Sequence, residues 1–184
     1  MLRLFVAVKI NPEKALLEAM QDFRDELCNE KIKWVNPENI HITLKFFGQT
    51  PVKELPIIKS ALFEASHEAS SFSITVKSCG TFGSPRFPRV IWLGLESNDG
   101  LKSLYESINS KLSREGYLPE GRGFSPHLTI GRVKHIKDLY SIDALVSKYV
   151  GEELMKQRIL EFQLFESIQQ REGPKYLVLE NFRI

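Results

Sequence analysis

The chain has 184 residues, which is enough for one domain or two small lobes and excludes a large multidomain assembly. Hydrophobic residues make up 42% of it and charged residues 26%, as is typical of a globular protein and not of a disordered one. The 25 Lys and Arg and 23 Asp and Glu residues give a formal net charge of +2. A protein that clamps a long nucleic acid by bulk charge would be more basic, so any anion must be bound by a few placed groups.

Both halves of the chain predict the element order β-α-β-α-β from apolar periodicity and turn residues. The first half predicts a strand over 1–10, a helix capped by Asn11 with Pro12 in its first turn, a strand at 40–44, a helix over 55–65 and a strand over 72–78. The second half predicts a strand over 89–95, a helix behind Asn98-Asp99-Gly100, a strand at 127–130, a helix over 139–149 and a strand over 159–165. The first helix of each half has an apolar stripe at the 3.6-residue period: Leu16, Met20, Phe23 and Leu27, then Leu101, Leu104, Tyr105, Ile108 and Leu112.

The two halves align with each other at a shift of 86 residues. This shift places 3–9 on 89–95 and 41–44 on 127–130. A further step of 86 residues from the 89–95 strand reaches 175–179. One offset that serves several segments indicates an internal duplication.

The duplication predicts a single bilobal α+β domain over 1–184, with halves of roughly 1–88 and 89–184. We expect two pseudo-symmetric β-α-β-α-β lobes whose mainly antiparallel sheets face a central cleft, with the helices outside.

The chain carries the pattern His-x-Thr in both halves, at His41 and Thr43 and again at His127 and Thr129. Alternate residues of a strand point to the same face, so each histidine projects together with its threonine. The apolar residues between and beside them project to the opposite face and can be buried. If a two-fold relates the lobes, the two pairs face each other across the cleft.

Two imidazoles on opposite sides of a phosphorus suit acid–base chemistry, because the unperturbed pKa of histidine is about 6.5. One can take a proton from the attacking oxygen while the other gives a proton to the leaving oxygen. The threonine hydroxyls can donate hydrogen bonds to the non-bridging oxygens. This chemistry needs no metal or cofactor, and the sequence shows no carboxylate cluster that would hold a metal.

A single histidine on a strand is more often structural than catalytic. Two copies at equivalent points of a duplicated chain, using two of its four histidines, favour the catalytic interpretation. His67 and His135 are interpreted as surface residues.

Several further residues are candidates for contacts with a phosphate-bearing ligand or with bases. Lys45 has the parity of His41 and Thr43 and is predicted to line the cleft farther out. Arg86 and Arg89, in a proline-rich connection, could touch a phosphate backbone or simply be solvated. Three aromatic residues are candidates for base stacking: Phe5, Phe46 and Phe82. The alternative is that they belong to the core.

The flanks of the paired motif carry a family resemblance. The matching segments cover nearly the whole chain: 3–8 (RLFVAV), 34–35 (WV), 41–48 (HITLKFFG), 88–94 (PRVIWLG) and 124–132 (FSPHLTIGR). With these segments the chain resembles the two-histidine phosphoesterase superfamily, and most closely the 2′-5′ RNA ligases, also called RNA 2′,3′-cyclic phosphodiesterases.

The resemblance implies metal-independent opening of a 2′,3′-cyclic phosphate at an RNA 3′ end, such as a tRNA-derived end, to give a 2′-phosphate. It assigns His41 as the proton donor and His127 as the proton acceptor, whereas the residues alone do not decide which is the acid. Thr43 and Thr129 would bind the phosphate. The reverse reaction would join a 5′-hydroxyl to the cyclic end through a 2′-5′ bond without ATP.

Arg132 also matches the family pattern and is expected to reach the phosphate or the terminal nucleotide. Strict alternation would place it opposite His127, so this expectation needs a β-bulge at Gly131 or an early strand end. The alternative is a solvated arginine at the rim.

Two other functions stay open. The same fold could act on small cyclic nucleotides or on 2′-5′ oligonucleotides, or it could be a non-catalytic module that binds RNA ends or nucleotides. An ATP-dependent ligase is disfavoured because the chain has no P-loop.

The remaining expectations concern the setting of the protein. No apolar run approaches the roughly 20 residues of a membrane helix, and the 1–10 segment lacks a small-residue cleavage site. Cys28 and Cys79 do not have metal-ligand spacing. A secreted disulfide scaffold would normally carry more than two cysteines, which favours reduced thiols. We therefore expect a cytoplasmic monomer without a membrane partner.

Overall fold

The computed structural model describes residues 1–119, 121, 123–171 and 173–184, and within them it has nine strands and four α-helices. The strands are β1 (Leu2–Lys9), β2 (Lys31–Trp34), β3 (His41–Thr50), β4 (Phe72–Ser84), β5 (Phe87–Leu95), β6 (His127–His135), β7 (Glu153–Ile159), β8 (Glu161–Gln170) and β9 (Gly173–Arg183). The helices are α1 (Lys14–Glu26), α2 (Leu55–Glu68), α3 (Asp99–Arg114) and α4 (Leu139–Tyr149).

The strands form one antiparallel sheet in the order β7-β4-β5-β6-β3-β1-β8-β9, and β2 adds to β6. The order is symmetric about the β6–β3 junction, where the two strands that carry the His-x-Thr motifs pair with each other. Four strands lie on each side of that junction, so the predicted α+β class with two pseudo-symmetric lobes of antiparallel strands is confirmed. The symmetry supports the internal duplication, which remains a hypothesis.

The two lobes do not coincide with the two halves of the chain, because each lobe contains strands from both halves. The first-half strand β4 lies beside β5, and the second-half strand β8 lies beside β1. The short strand β2 likewise crosses to pair with β6 of the other lobe. Each lobe is therefore completed by strands from the other half of the chain, which ties the lobes together across the cleft.

Two helix starts follow from side-chain caps, and one predicted cap is wrong. The Asn98 side chain accepts from the Leu101 N–H at 2.9 Å to begin α3, and Asp138 accepts from the Ser141 N–H at 3.1 Å to begin α4. Asn11 does not cap α1, because this helix begins at Lys14 and has no side-chain cap. The Asn11 N–H instead donates to the side chain of Gln157, at 2.9 Å.

Two strand boundaries also differ from the predicted ones. The strand expected over 72–78 continues as β4 to Ser84 and forms a hairpin with β5. The strand expected over 159–165 is interrupted at Leu160, because β7 pairs with β4 on one edge of the sheet and β8 pairs with β1 on the other. The predicted helix over 139–149 coincides with α4.

The core lies between the helices and one face of the sheet. The motif strands contribute their intervening residues to it, since Ile42 and Leu128 are both 0% exposed. The predicted helix stripes are buried in the same core, apart from Tyr105, which is half-buried and faces the cleft. The opposite face of the motif strands is thus left open to the cleft.

Both cysteines are free thiols, with Cys28 exposed and Cys79 buried. Burial raises the pKa of the Cys79 thiol to about 11. Among the described residues, no helix has the length and apolar character needed to cross a bilayer.

Candidate active site

The candidate site lies at the junction of β3 and β6. Ile42 pairs with Leu128 in antiparallel register, so His41 and Thr43 flank the junction beside Thr129 and His127, respectively. Both histidines, both threonines and Arg132 line one cavity of about 380 Å³. The tertiary structure therefore brings together the two motifs that lie 86 residues apart in the chain.

The two imidazoles are held in the same way. The distance from Nδ1 to the backbone carbonyl two residues earlier is 2.6 Å for His41 and Asn39, and 2.8 Å for His127 and Ser125. A carbonyl oxygen can only accept, so Nδ1 carries the proton in both rings. This leaves Nε2 of each ring to exchange a proton with a ligand.

Two further aromatic rings surround His41. Phe5 packs against it at a centroid distance of 5.1 Å, and Tyr176 meets it edge-on at 5.3 Å. The Phe5 ring is only 3% exposed and supports His41 from within a small cluster that includes Phe165. It also borders the cleft beside His41, and base stacking at this position stays a prediction.

The environment of His41 disfavours its charged form. Burial lowers the pKa of His41 below its ordinary value, and the positive charges of Arg132 and His127 lower it further. The hydrogen bond to the Asn39 carbonyl acts in the opposite direction, because it favours the imidazolium. An anion bound in this cavity would counteract the effect of the neighbouring cations.

His127 has an aromatic neighbour on its own side of the cleft. The edge of the Phe82 ring meets the imidazole at a centroid distance of 4.7 Å and an interplanar angle of 86°. Phe82 is 36% exposed and lines the cleft, so it remains a candidate for base contacts.

A β-bulge in each motif strand reorients the residues that follow it. In β3 the first extra residue relative to β1 is Leu44, with a second at Phe47, and in β6 the extra residue relative to β5 is Ile130. Leu44 and Ile130 are equivalent under the shift of 86. The bulges reverse the alternation, so Phe46 and Arg132 are exposed in the cleft, where strict alternation would have buried them.

The bulge in β3 also overturns the predicted parity of Lys45. This residue is only 5% exposed, and its ammonium group donates to the Leu118 backbone carbonyl. It nevertheless lines the cleft together with Thr43 and Leu44, where the sequence places it.

Three larger basins adjoin the central cavity, of which one shares His41 with it and two share His127 with it. The cationic basin, about 540 Å³, shares His41 with the central cavity. We define it by Arg3, Lys33, Phe46, Arg132 and Lys134. Its described lining residues carry four positive charges and no carboxylate, and Arg3 lies over the Phe46 ring at 4.9 Å.

The aromatic basin, about 1040 Å³, shares His127 with the central cavity. We define it by Phe82, Phe87, Arg89, Tyr105 and Phe124. It lies between the β4–β5 hairpin, α3 and the segment that leads into β6. Of the two arginines predicted to approach RNA, Arg89 lines this basin, whereas Arg86 lies in the exposed hairpin turn away from its lining.

Several lining residues were not singled out from the sequence. Tyr176 lies in the 175–179 segment that the 86-residue shift identifies, but alternation alone does not connect that segment with His41. Lys33 reaches the cleft because β2 pairs with β6, and Lys134 reaches it from β6 itself. His67 and His135, expected at the surface, are exposed.

A curled antiparallel sheet that places two His-x-Thr motifs in one cavity defines the class of two-histidine phosphoesterases. The LigT like phosphoesterase family matches residues 8–92 of the chain. A relative from Methanothermobacter thermautotrophicus, named RNA 2′,3′-cyclic phosphodiesterase, is 32% identical over 184 residues, covering 99% of this chain and 98% of its own. A relative of the same name from Archaeoglobus fulgidus is 34% identical over 182 residues, covering 98% and 99%. The chain belongs to this LigT-like family of phosphoesterases.

Solved structures show the same fold. A crystal structure from Thermus thermophilus superposes with a TM-score of 0.80 at 24% identity and covers 98% of this chain and 97% of its own. The structure of Escherichia coli LigT complexed with 3′-AMP superposes with a TM-score of 0.70 at 23% identity and covers 100% and 98%.

Proposed function

We propose that the protein hydrolyses a terminal 2′,3′-cyclic phosphate of RNA to a 2′-phosphate, without a metal ion. The observation that carries this proposal is the single cavity shared by two imidazoles with available Nε2 atoms, two threonine hydroxyls and one guanidinium. The names of the full-length relatives support the same activity.

Each group has a role in the proposed step. His127 Nε2 takes a proton from water while the water oxygen bonds to phosphorus. The bond between phosphorus and the 3′-oxygen breaks, and His41 Nε2 gives its proton to that oxygen. Thr43 and Thr129 donate to the non-bridging oxygens, and Arg132 balances their charge. The product has a 2′-phosphate and a 3′-hydroxyl.

The role of His41 depends on the bound substrate. Its pKa is lowered in the free protein by burial and by the charges of Arg132 and His127, yet a proton donor must be protonated. A cyclic phosphate carries one negative charge, which favours the imidazolium and raises the pKa of His41. The substrate thus prepares the acid that protonates its leaving oxygen.

The cationic basin favours an RNA end over a mononucleotide as the substrate. Arg3, Lys33 and Lys134 extend the positive charge beyond the central cavity, where a mononucleotide would have no further phosphate to offer. This concentrated charge is compatible with a net charge of only +2, because a short single-stranded end needs few contacts.

The direct test uses an RNA oligonucleotide ending in a 2′,3′-cyclic phosphate, with EDTA present, and identifies the end group of the product. A 2′-phosphate is expected. An unchanged cyclic end would overturn the proposal and leave a module that only binds RNA ends. A 3′-phosphate would overturn the assignment of the leaving oxygen.

The variants His41→Ala and His127→Ala test the paired acid–base roles. Each should lower kcat by about 100- to 10,000-fold, the usual contribution of a positioned proton transfer. His67→Ala, an exposed histidine on α2, is the matched control. Wild-type-like activity in either motif variant would show that the two histidines do not act as a pair.

A further inference from the structure

We infer that the aromatic basin is the binding site for a second nucleoside, the one whose 5′-oxygen bonds to the phosphorus in 2′-5′ joining and leaves in 2′-5′ cleavage. The inference rests on the proposed function and assigns a part of the cleft that hydrolysis of a cyclic end does not need. It predicts that a substitution in this basin slows the reaction of a substrate with two nucleosides more than the reaction of a substrate with one.

The argument begins with the geometry of displacement at phosphorus. The attacking and leaving oxygens lie roughly in line on opposite sides of the phosphorus atom. The 3′-oxygen that leaves in ring opening belongs to the ribose of the cyclic end, and His41 protonates it. The cyclic nucleoside therefore lies on the His41 side, and the attacking oxygen approaches from the His127 side.

The cationic basin and the aromatic basin lie on these two sides of the phosphate site. His41 lines the cationic basin and His127 lines the aromatic basin, while Thr43 borders both. The chain that ends in the cyclic phosphate has further phosphates on its 5′ side, and these fit the positive charges around His41. In hydrolysis only a water molecule approaches from the other side, where the larger, 1040 Å³ basin lies.

The composition of the aromatic basin suits a nucleoside. Phe87 at the hairpin lines the basin and is 72% exposed, so the face of its ring is accessible to a base. Phe82 lines the basin beside His127, and Phe124 stacks on Tyr105 with an interplanar angle of 10° and a centroid distance of 3.9 Å. Aromatic rings bind any nucleobase by stacking, which fits an end recognised without a sequence code.

The aromatic basin also has a positively charged side chain where the chain beyond a second nucleoside would run. Arg89 lines it and is exposed, and the shift of 86 residues makes Arg89 the equivalent of Arg3 in the cationic basin. A nucleoside bound through its 5′-oxygen has its next phosphate on the 3′ side. Arg89 is available to that phosphate, as Arg3 is to the chain on the other side.

The chemical step balances with the same two histidines. In joining, His127 takes the proton of the 5′-hydroxyl, the bond from O5′ to phosphorus forms, the bond to O3′ breaks, and His41 protonates O3′. In cleavage, His41 takes the proton of the 3′-hydroxyl, O3′ bonds to phosphorus, the bond to O5′ breaks, and His127 protonates O5′. Neither direction needs a nucleotide triphosphate.

The test compares two small substrates on the full chain, with EDTA present. Adenosine 2′,3′-cyclic phosphate has one nucleoside, and 2′-5′-linked adenylyl-adenosine has two. The variant is Phe87→Ser, and the matched control is Phe63→Ser, an exposed phenylalanine on α2 (59%) that lies outside these cavities. The readout is the ratio of kcat/KM for cleavage to kcat/KM for cyclic phosphate hydrolysis.

Phe87→Ser should lower this ratio by about fivefold or more, the range expected for the loss of one stacking contact, and Phe63→Ser should leave it unchanged. Joining of free adenosine to the cyclic phosphate should need a correspondingly higher adenosine concentration. An equal loss on both substrates would place the cyclic nucleoside in the basin and overturn the inference, and so would no loss on either.

The wild-type protein separates this inference from the proposed function. Hydrolysis of the cyclic phosphate without any cleavage of the 2′-5′ bond would overturn the inference and leave the proposed function standing. If neither substrate reacts, and the RNA end is also unchanged, the proposed function itself fails.

Discussion

Ile42 lies directly opposite Leu128 at the junction of the two lobes, and both side chains are completely buried. This pair sets the register in which one His-x-Thr motif meets the other. A slip of one residue in either strand would turn its histidine and threonine into the core and its apolar residues into the cleft. The catalytic arrangement therefore depends on an apolar contact on the other face of the sheet.

Removing the hydroxyl of either motif threonine should slow the chemical step. Thr43→Val and Thr129→Val keep the shape of the side chain but lose the donor to a charged oxygen, so kcat should fall by about 10- to 100-fold. Steady-state kinetics on the cyclic RNA end measures the loss. Thr43→Ser and Thr129→Ser retain the hydroxyl and should recover most of the activity; a serine variant as slow as the valine variant would contradict the hydrogen-bonding role.

The pH dependence should differ between the free and the substrate-bound protein. Because the pKa of His41 is lowered by burial and by the charges of Arg132 and His127, the free protein loses its proton donor at a lower pH than the complex with an anionic substrate. In a pH–rate profile, the fall of kcat/KM at high pH reports the pKa of the donor in the free protein, and the fall of kcat reports its pKa in the complex. We therefore expect kcat to fall at a higher pH than kcat/KM.

The variant Arg132→Gln gives an independent check on this cause. Loss of the neighbouring positive charge should raise the pKa of His41 in the free protein, which NMR can follow through the imidazole protons. The signals of His67, on the exposed face of α2, serve as the internal control. An unchanged titration of His41 in Arg132→Gln would show that the guanidinium does not act on it.

Salt should weaken RNA binding through the cationic basin more than it weakens binding of a cyclic mononucleotide. Each phosphate contact to a single strand contributes about 0.7 to the slope of log affinity against log salt concentration. Lys33→Gln and Lys134→Gln should each reduce the slope for a cyclic RNA end by about that amount. Fluorescence anisotropy between low and high salt measures it on His41→Ala, in which turnover is slow.

The matched control for these lysines is Lys53→Gln, an exposed lysine in the turn before α2. It should leave the slope unchanged. If Lys53→Gln reduces the slope as much as the basin variants do, the RNA is attracted by the general charge of the surface and not by this basin.

Gly131 should tolerate no side chain, because the bulge that turns Arg132 into the cleft is packed beneath Trp34. A Cβ atom at this position would lie 2.9 Å from the Trp34 ring and 3.1 Å from a methyl group of Ile32. Gly131→Ala should reduce the free energy of unfolding by about 1–3 kcal/mol and raise KM as Arg132 is displaced. Urea unfolding and kinetics measure the two effects.

Gly121→Ala is the control for this substitution, since a Cβ atom there meets nothing within 4 Å. It should leave both stability and KM unchanged. A Gly131→Ala protein with normal stability and normal KM would show that the strand can move away from Trp34 without moving Arg132.

The sequence by itself determined the class of the fold and the four central residues of the site. Strand alternation is a local property, so His41 and Thr43 could be placed on one face from their spacing alone. The helix over 139–149 was predictable for the same reason, because its stripe and its Asp138 cap lie within a few residues of each other.

The tertiary structure decided what depends on a partner strand. The bulges at Leu44 and Ile130 are defined only relative to β1 and β5, so no local pattern could show that Phe46 would be turned into the cleft or choose between the cleft and the opposite face for Arg132. The start of α1 shows the same limit, because the helix begins at Lys14 and not directly after Asn11, whose backbone N–H donates to Gln157 on a distant strand.

The exchange of strands between the lobes is the largest feature that the repeat did not reveal. A shift of 86 residues matches segments of sequence, but it does not say whether the last strand of each half folds back on its own lobe or crosses to the other. Long-range strand pairing makes that choice. The same pairing creates the unlike basins beside the two histidines, although the motifs themselves are nearly identical.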